Sequence, residues 1–368
     1  MTAEIPVEGL VRLHSEILGV FSRLLETSDL AIDDDFFDKG GDSLLATELM
    51  LELRKLTGKA LPDSLLFESS TVRALAQRLS EKETPKARAA VRVGAASDGA
   101  KPLLFFHGDW SWGGFYVEHL ARKLGPGISL IAVAAHGAGG EPIPPSIEAM
   151  AADRLPAILE EQPTGPYRLA GHCVGGIVAL ETARLLMKLN HRVETVVMID
   201  SPVTVGGDAV KNPLFVAGGA EARDPVATPD DIPVRPATPF GPAFERYTER
   251  LVDYAPAPLP VRLLVLASEY DGRDWVRLSA DAELIDLPGD HFDLVTRRAG
   301  ELASTIRSWL SGDAPPRPNE RRPAAYGRDD QSLTAHMSEK EPPASPIGAA
   351  KHESLPRRLS RFFTAARR

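Results

Sequence analysis

Cysteine is almost missing from this chain. Cys173 is the only one in 368 residues, so no internal disulfide can form and nothing points to an oxidising compartment. Long apolar runs are missing as well: no stretch reaches the ~18 residues of a membrane span. The opening Met1-Thr2-Ala3-Glu4-Ile5-Pro6 has neither the basic start nor the apolar run of a secretory signal. A cytoplasmic location is expected, without membrane contact. Basic charge is in deficit, the net charge being -9; this weighs against nucleic-acid binding through the whole surface, and no basic-aromatic groove motif is present. What is there, 43% hydrophobic and 25% charged residues, reads as globular. The length suits two domains and a tail at ~100–200 residues per domain.

The lone cysteine stands in a conspicuous place. Gly171-His172-Cys173-Val174-Gly175-Gly176 lies between an apolar run, Tyr167-Arg168-Leu169-Ala170, and a helical pattern from Ile177 to Leu189. Strand, sharp glycine turn, nucleophile and helix make a nucleophile elbow, here with a thiol where serine is usual. A free cysteine elsewhere is a small buried apolar residue more often than not. Inside Gly-x-Cys-x-Gly, the strained turn presents the side chain and a helix N-terminus favours the thiolate.

Residues 1–82 read as a small helical domain. Leu10, Leu13, Ile17, Leu18, Phe21, Leu24 and Leu25 recur at helical spacing, Leu44 to Leu56 is amphipathic again, a short turn surrounds Leu65-Leu66-Phe67, and Thr71 caps a last helix. The unit is acidic, with fifteen Asp and Glu against nine Lys and Arg. Its distinctive stretch is Asp34-Asp35-Phe36-Phe37-Asp38-Lys39-Gly40-Gly41-Asp42-Ser43-Leu44. Two glycines precede a helix start, Asp42 can accept there, and Ser43 projects where the helix dipole favours an anionic phosphodiester. Taken alone, Asp42 and Ser43 could simply cap a helix. The longer stretch resembles the attachment site of peptidyl and acyl carrier proteins over roughly residues 8–80. That resemblance implies a covalent 4′-phosphopantetheine arm on Ser43, installed by a phosphopantetheinyl transferase, with an acyl or aminoacyl group on its thiol. Lys39 departs from the apolar residue common there.

Residues 83–101, rich in Ala, Gly, Lys and Ser, read as a flexible linker spanning ~25 Å, from ~5–6 Å × √n. From 102 to 312 the pattern changes. Apolar runs at Leu103–Phe106, Leu130–Val133, Tyr167–Ala170, Val196–Ile199 and Val261–Ala267 alternate with helical segments, which predicts a doubly wound, mostly parallel sheet with function at the carboxyl ends of its strands.

Three residues are predicted at those ends. Cys173 follows the Tyr167 strand, Asp200 ends the strand Thr195–Ile199, and His291 lies in Leu287-Pro288-Gly289-Asp290-His291-Phe292 before the last helix. A carboxylate can orient a histidine that deprotonates the nucleophile. Asp200 could instead be a turn residue, with Asp271 or Asp274 in reserve. Together these residues resemble the α/β-hydrolase thioesterase domains that terminate nonribosomal peptide and polyketide assembly lines, the resemblance covering about 101–311. It implies Cys173, Asp200 and His291 as catalytic triad and an oxyanion hole from the backbone amides of Val174 and Asp109; Gly108 stands where proline is frequent. It also implies a lid at about 201–255, where eleven prolines fall between Ser201 and Pro260. Trp110, Trp112, Phe115 and Tyr116 could line the entrance or pack the first helix on the sheet. No metal ligands are assigned.

Residues 313–368 contain eight prolines and read as a disordered tail. Leu355, Leu359, Phe362 and Phe363 would share one face of a short basic helix, suited to a partner enzyme or anionic membrane surface; a solvated tail is the preferred reading.

These features lead to a carrier–thioesterase didomain. It would take an acyl, aminoacyl or peptidyl group from a phosphopantetheine thioester onto Cys173, then release it by cyclisation, by transfer to an amine or another carrier, or by hydrolysis. An adenylation or other loading enzyme and partner carrier or condensation proteins are the implied partners. A non-catalytic carrier scaffold and a plain proofreading hydrolase are the alternatives.

Overall fold

The computed structural model describes residues 7–94, 96–108, 114–137, 141–202, 246–247, 249–251 and 254–313. The expected lid, Asp109, Trp110, Trp112 and the tail beyond 313 lie wholly or mostly outside them.

Four helices form the N-terminal unit: α1 (Val7–Leu24), α2 (Ser43–Thr57), α3 (Ser64–Glu68) and α4 (Val72–Ser80). Local chemistry sets their ends. Asp42 accepts from the Leu45 N–H at 2.8 Å and Thr71 Oγ1 from the Ala74 N–H at 3.2 Å, satisfying amides with no partner inside the helix. The recurring apolar positions then meet in one core around Ile17, Phe21, Phe36, Leu49, Met50, Leu53 and Leu66.

The second unit is built on β1 (Ala90–Val93), β2 (Lys101–His107), β3 (Ile128–Val133), β4 (Tyr167–His172), β5 (Val193–Ile199), β6 (Arg262–Ala267) and β7 (Ala282–Asp286). The seven strands form one sheet in the order β1-β3-β2-β4-β5-β6-β7. All neighbours run parallel except β1, which pairs antiparallel with β3. This is the α/β-hydrolase arrangement. Between strands come α5 (Tyr116–Leu124), α6 (Ile147–Glu161), α7 (Val174–Lys188) and α8 (Arg273–Val276), and α9 (Ala299–Ser311) follows the last strand. Residues of α6 and α7 cover one sheet face and those of α5 and α9 the other. Burial on both faces is why the central strands read as unbroken apolar runs.

The expected linker at 83–101 needs correction. Ala90 to Val93 is a strand, its register running from Ala90 opposite Val133 to Val93 opposite Leu130. Its outward side chain, Arg92, donates to Ser129 Oγ at 2.8 Å and to the Glu161 carbonyl at 2.7 Å. Four residues at a sheet edge carry little periodicity of their own; pairing with β3 makes the strand, and pairing is invisible in composition.

Candidate active site

The elbow between β4 and α7 is made by close packing. Cys173 takes φ 58° and ψ -134°, a conformation that favours glycine. The turn tolerates it because Gly171 and Gly175 lack side chains. A Cβ on Gly171 would run into the backbone of Gly175 and Gly176, and one on Gly175 into the Phe106 carbonyl at the end of β2. The Cys173 N–H donates to the Ile199 carbonyl at 3.0 Å, anchoring the turn to β5. Val174 opens α7, so its amide belongs to the first turn, where no helix carbonyl can accept it.

Asp200 follows β5, also with positive φ, 43°. It is 1% exposed. Oδ1 accepts from the Ser268 N–H at 2.8 Å and the Tyr270 N–H at 3.1 Å, which fixes the carboxylate and compensates its burial. Oδ2 lies 2.6 Å from Nδ1 of His291. The histidine arrives on the loop after β7 and is likewise 1% exposed. Burial opposes a charged imidazole, but the neighbouring Cys173 sulfur and the Asp200 carboxylate outweigh it and hold the His291 pKa well above its ordinary range. Nε2 is buried without a hydrogen-bond partner in this resting geometry, although Cys173 is near enough to raise the ring's proton affinity. Active-site hydrogen bonds often tighten only with substrate present.

The structure therefore brings Cys173, Asp200 and His291 to one edge of the sheet and leaves the reserve acids outside. Asp271 pairs with Arg273 at 3.1 Å and Asp274 with Arg277 at 2.8 Å. Asp109 lies outside the described residues.

Two neighbours escaped sequence reasoning. His172 is fully buried, stacks on the His291 ring with centroids 4.2 Å apart, and approaches the His291 carbonyl with Nε2 at 3.0 Å. A carbonyl only accepts, so Nε2 carries the proton. Burial first, and then the adjacent His291, hold the His172 pKa well below the ordinary imidazole value; it is a neutral support for the other ring. Glu269 follows β6. A carboxylate oxygen of Glu269, one of Asp200 and a ring nitrogen of His291 lie within 4.8 Å of one another. Desolvation holds the Glu269 pKa above its usual range, against the opposing pull of the neighbouring His291. Its position at a strand's carboxyl end was the available signal; an isolated Glu between Ser268 and Tyr270 carries no other.

On the helical side, Ser43 is the first residue of α2, beside the capping Asp42, and its Oγ makes no hydrogen bond. The hydroxyl is thus buried but uncommitted to the helix cap.

Comparison with known proteins bears on both units. Residues 10–79 match the phosphopantetheine attachment site family and residues 101–214 the thioesterase domain family. The chain joins a phosphopantetheine carrier domain to a thioesterase domain. It is 34% identical over 189 residues to an indigoidine synthase of Streptomyces lavendulae, covering 50% of this chain and 14% of that protein. It is 36% identical over 193 residues to a dimodular nonribosomal peptide synthase of Bacillus subtilis, covering 51% of this chain and 8% of that one. A solved four-domain nonribosomal peptide synthetase with AMP and glycine bound aligns over 81% of this chain and 26% of its own, at 26% identity and a TM-score of 0.49. This chain therefore spans only a small part of the curated relatives it matches. Carrier and thioesterase together identify the cofactor as 4′-phosphopantetheine, and Ser43 opens the helix within the matched carrier region.

Proposed function

We propose that this chain transfers an acyl, aminoacyl or peptidyl group from a thioester to Cys173, and from Cys173 to water, an amine, an internal nucleophile or a second carrier, within nonribosomal peptide or polyketide-type biosynthesis. The observation that carries the reading is the elbow thiol beside a buried His291 whose Nδ1 is held by Asp200. When attached at Ser43, phosphopantetheine supplies the flexible thiol on which an acyl group is presented as a thioester.

The Cys173 sulfur, deprotonated by His291, attacks the thioester carbonyl carbon. A new C–S bond forms and charge moves to the carbonyl oxygen, where the Val174 amide would act as one donor and the Asp109 amide as the second. Losing one such donor typically costs ~3–4 kcal/mol of barrier. Collapse breaks the original C–S bond, and the imidazolium returns its proton to the departing thiol. Asp200 stabilises the cationic ring between these two transfers.

A serine at this position would give an oxoester, downhill from the thioester. Cys173 gives another thioester at nearly equal energy, so acylation is reversible and the group stays activated toward amines and thiols. This supports cyclising release or shuttling between carriers over simple hydrolysis. A phosphopantetheinyl transferase, a loading enzyme and partner carriers complete the proposed cycle, in a reducing cytoplasm suited to a free thiol. Among the described residues no helix is long and apolar enough to cross a membrane.

Charging the holo-protein with candidate aminoacyl groups and following intact mass tests the reading. An acyl adduct on Cys173, absent from Cys173→Ala together with turnover, is expected. Undiminished turnover by Cys173→Ala would sink it.

A further inference from the structure

The carrier domain does not stand clear of the thioesterase domain. Phe115, at the start of α5, is 1% exposed and belongs to the apolar cluster that forms the carrier core. Its ring lies 5.2 Å from that of Phe67 at the end of α3. Two turns further along, Arg122 of α5 reaches back across the boundary. Its Nη2 is 2.8 Å from Asp38 Oδ1 and 3.3 Å from Asp35 Oδ1, and its guanidinium lies 5.8 Å from the centre of the Phe37 ring. Glu118, on the same face of α5, holds Arg122 Nε at 3.2 Å and so aims the fork at the carrier. All three partners, Asp35, Phe37 and Asp38, come from the loop that leads into Ser43.

Ser43 itself is only 3% exposed, and its Oγ is buried with no hydrogen-bond partner. A buried, unpartnered hydroxyl at the start of a helix is costly, and no need of the carrier fold explains it, since Asp42 already caps α2. Helix α5 packs on α2, and Asp42, which precedes Ser43, bears electrostatically on His119 of α5.

We propose that the α5 face is a docking surface for the chain's own carrier domain, anchored by Arg122 and Phe115, and that docking sequesters Ser43. The docked carrier and a carrier receiving its arm are then mutually exclusive states, and a phosphopantetheinyl transferase acts only on the undocked fraction. This inference rests on Ser43 as the attachment residue. The anchor combines an apolar contact with ion pairs that are partly solvent-exposed, so it is reversible and weakened by salt.

The test follows installation of the arm, which needs no acyl-transfer activity. The 368-residue chain lacking the arm is incubated with a phosphopantetheinyl transferase and coenzyme A, and the mass gain is timed. Because the observed rate scales with the undocked fraction, Arg122→Glu should accelerate it by about five- to tenfold, the effect of losing a small ion-pair network. Asp38→Arg, a change on the exposed rim of the carrier, should accelerate it as well, and the double variant should fall back toward the wild-type rate. Misfolding would not be repaired by a second charge reversal. Equal rates in all four chains, or a double variant as fast as the faster single, overturns the docking inference while leaving Ser43 as attachment residue. No mass gain in any chain overturns the assignment of Ser43, and the inference with it.

Discussion

Asp200 Oδ2 lies 2.6 Å from His291 Nδ1, and both side chains are 1% exposed. The other carboxylate oxygen is taken by two backbone amides, so Asp200 has no freedom to rotate away. Asp200→Asn should therefore keep the fold while losing ~10³–10⁴-fold in kcat, the scale seen when an amide holds the wrong imidazole tautomer. Steady-state release of an acyl group from a small-molecule thioester measures this. A loss under tenfold would remove Asp200 from the mechanism.

The same pair has a pH signature in stability. The folded His291 pKa is raised above its ordinary 6.5. A raised folded value adds stability that is complete below the unfolded pKa and fades as pH climbs through the folded one. Removing the Asp200 carboxylate removes much of that gain. The difference in unfolding midpoint between wild type and Asp200→Asn should be largest near pH ~6 and narrow as the pH is raised above the ordinary imidazole value. Thermal unfolding across that range checks the sign; a gap that widens with pH would contradict it.

The elbow geometry makes a second pair of outcomes. At Gly171 an added Cβ meets the backbone of Gly175 and Gly176, which cannot yield without moving Cys173. Gly171→Ala should cost ~1–3 kcal/mol of stability or more and blunt alkylation of Cys173 by iodoacetamide. Gly19, in the middle of α1, has open space around its Cα. Gly19→Ala should instead stabilise by ~0.5–1 kcal/mol. Denaturant titration of the two variants gives opposite signs if the packing is as described.

Much of this was legible in the sequence, for a physical reason. Strands buried on both faces must be apolar throughout, so β2 to β6 announce themselves. An elbow needs glycines where backbones touch, so Gly171, Gly175 and Gly176 mark it without any neighbour being known. What stayed hidden depends on pairing across the fold. β1 exists because β3 offers an edge, and Ala90-Val91-Arg92-Val93 has no signal beyond that. Glu269 matters through its distance to His291, and Asp271 and Asp274, equally plausible on paper, are spent on nearby arginines. The fold decides which carboxylate after a strand reaches the histidine.

Glu269 gives a prediction of its own. Its carboxylate sits where Asp200 and the His291 ring also converge, so it bears electrostatically on that imidazole. Glu269→Gln retains an acceptor but removes charge, and should lower kcat by only about threefold to tenfold, the worth of one modest interaction. Its effect should be larger in an Asp200→Asn background, where Glu269 is the remaining carboxylate near the imidazole. A double variant whose loss is the simple product of the two singles would show that Glu269 acts independently of the histidine.

The thiol supplies the sharpest contrast. With Cys173, acyl exchange between the enzyme and an added thiol is thioester for thioester and should run in both directions. With serine, the forward step is downhill and the return to a thiol is not. Wild type should therefore scramble label between an acyl thioester and an excess of isotopically marked free thiol faster than it releases acid. Cys173→Ser should acylate, hold the group as a longer-lived adduct visible by intact mass, and show no scrambling. If the serine variant scrambles label as fast as wild type, exchange does not pass through residue 173, and the preference for transfer over hydrolysis loses its chemical basis.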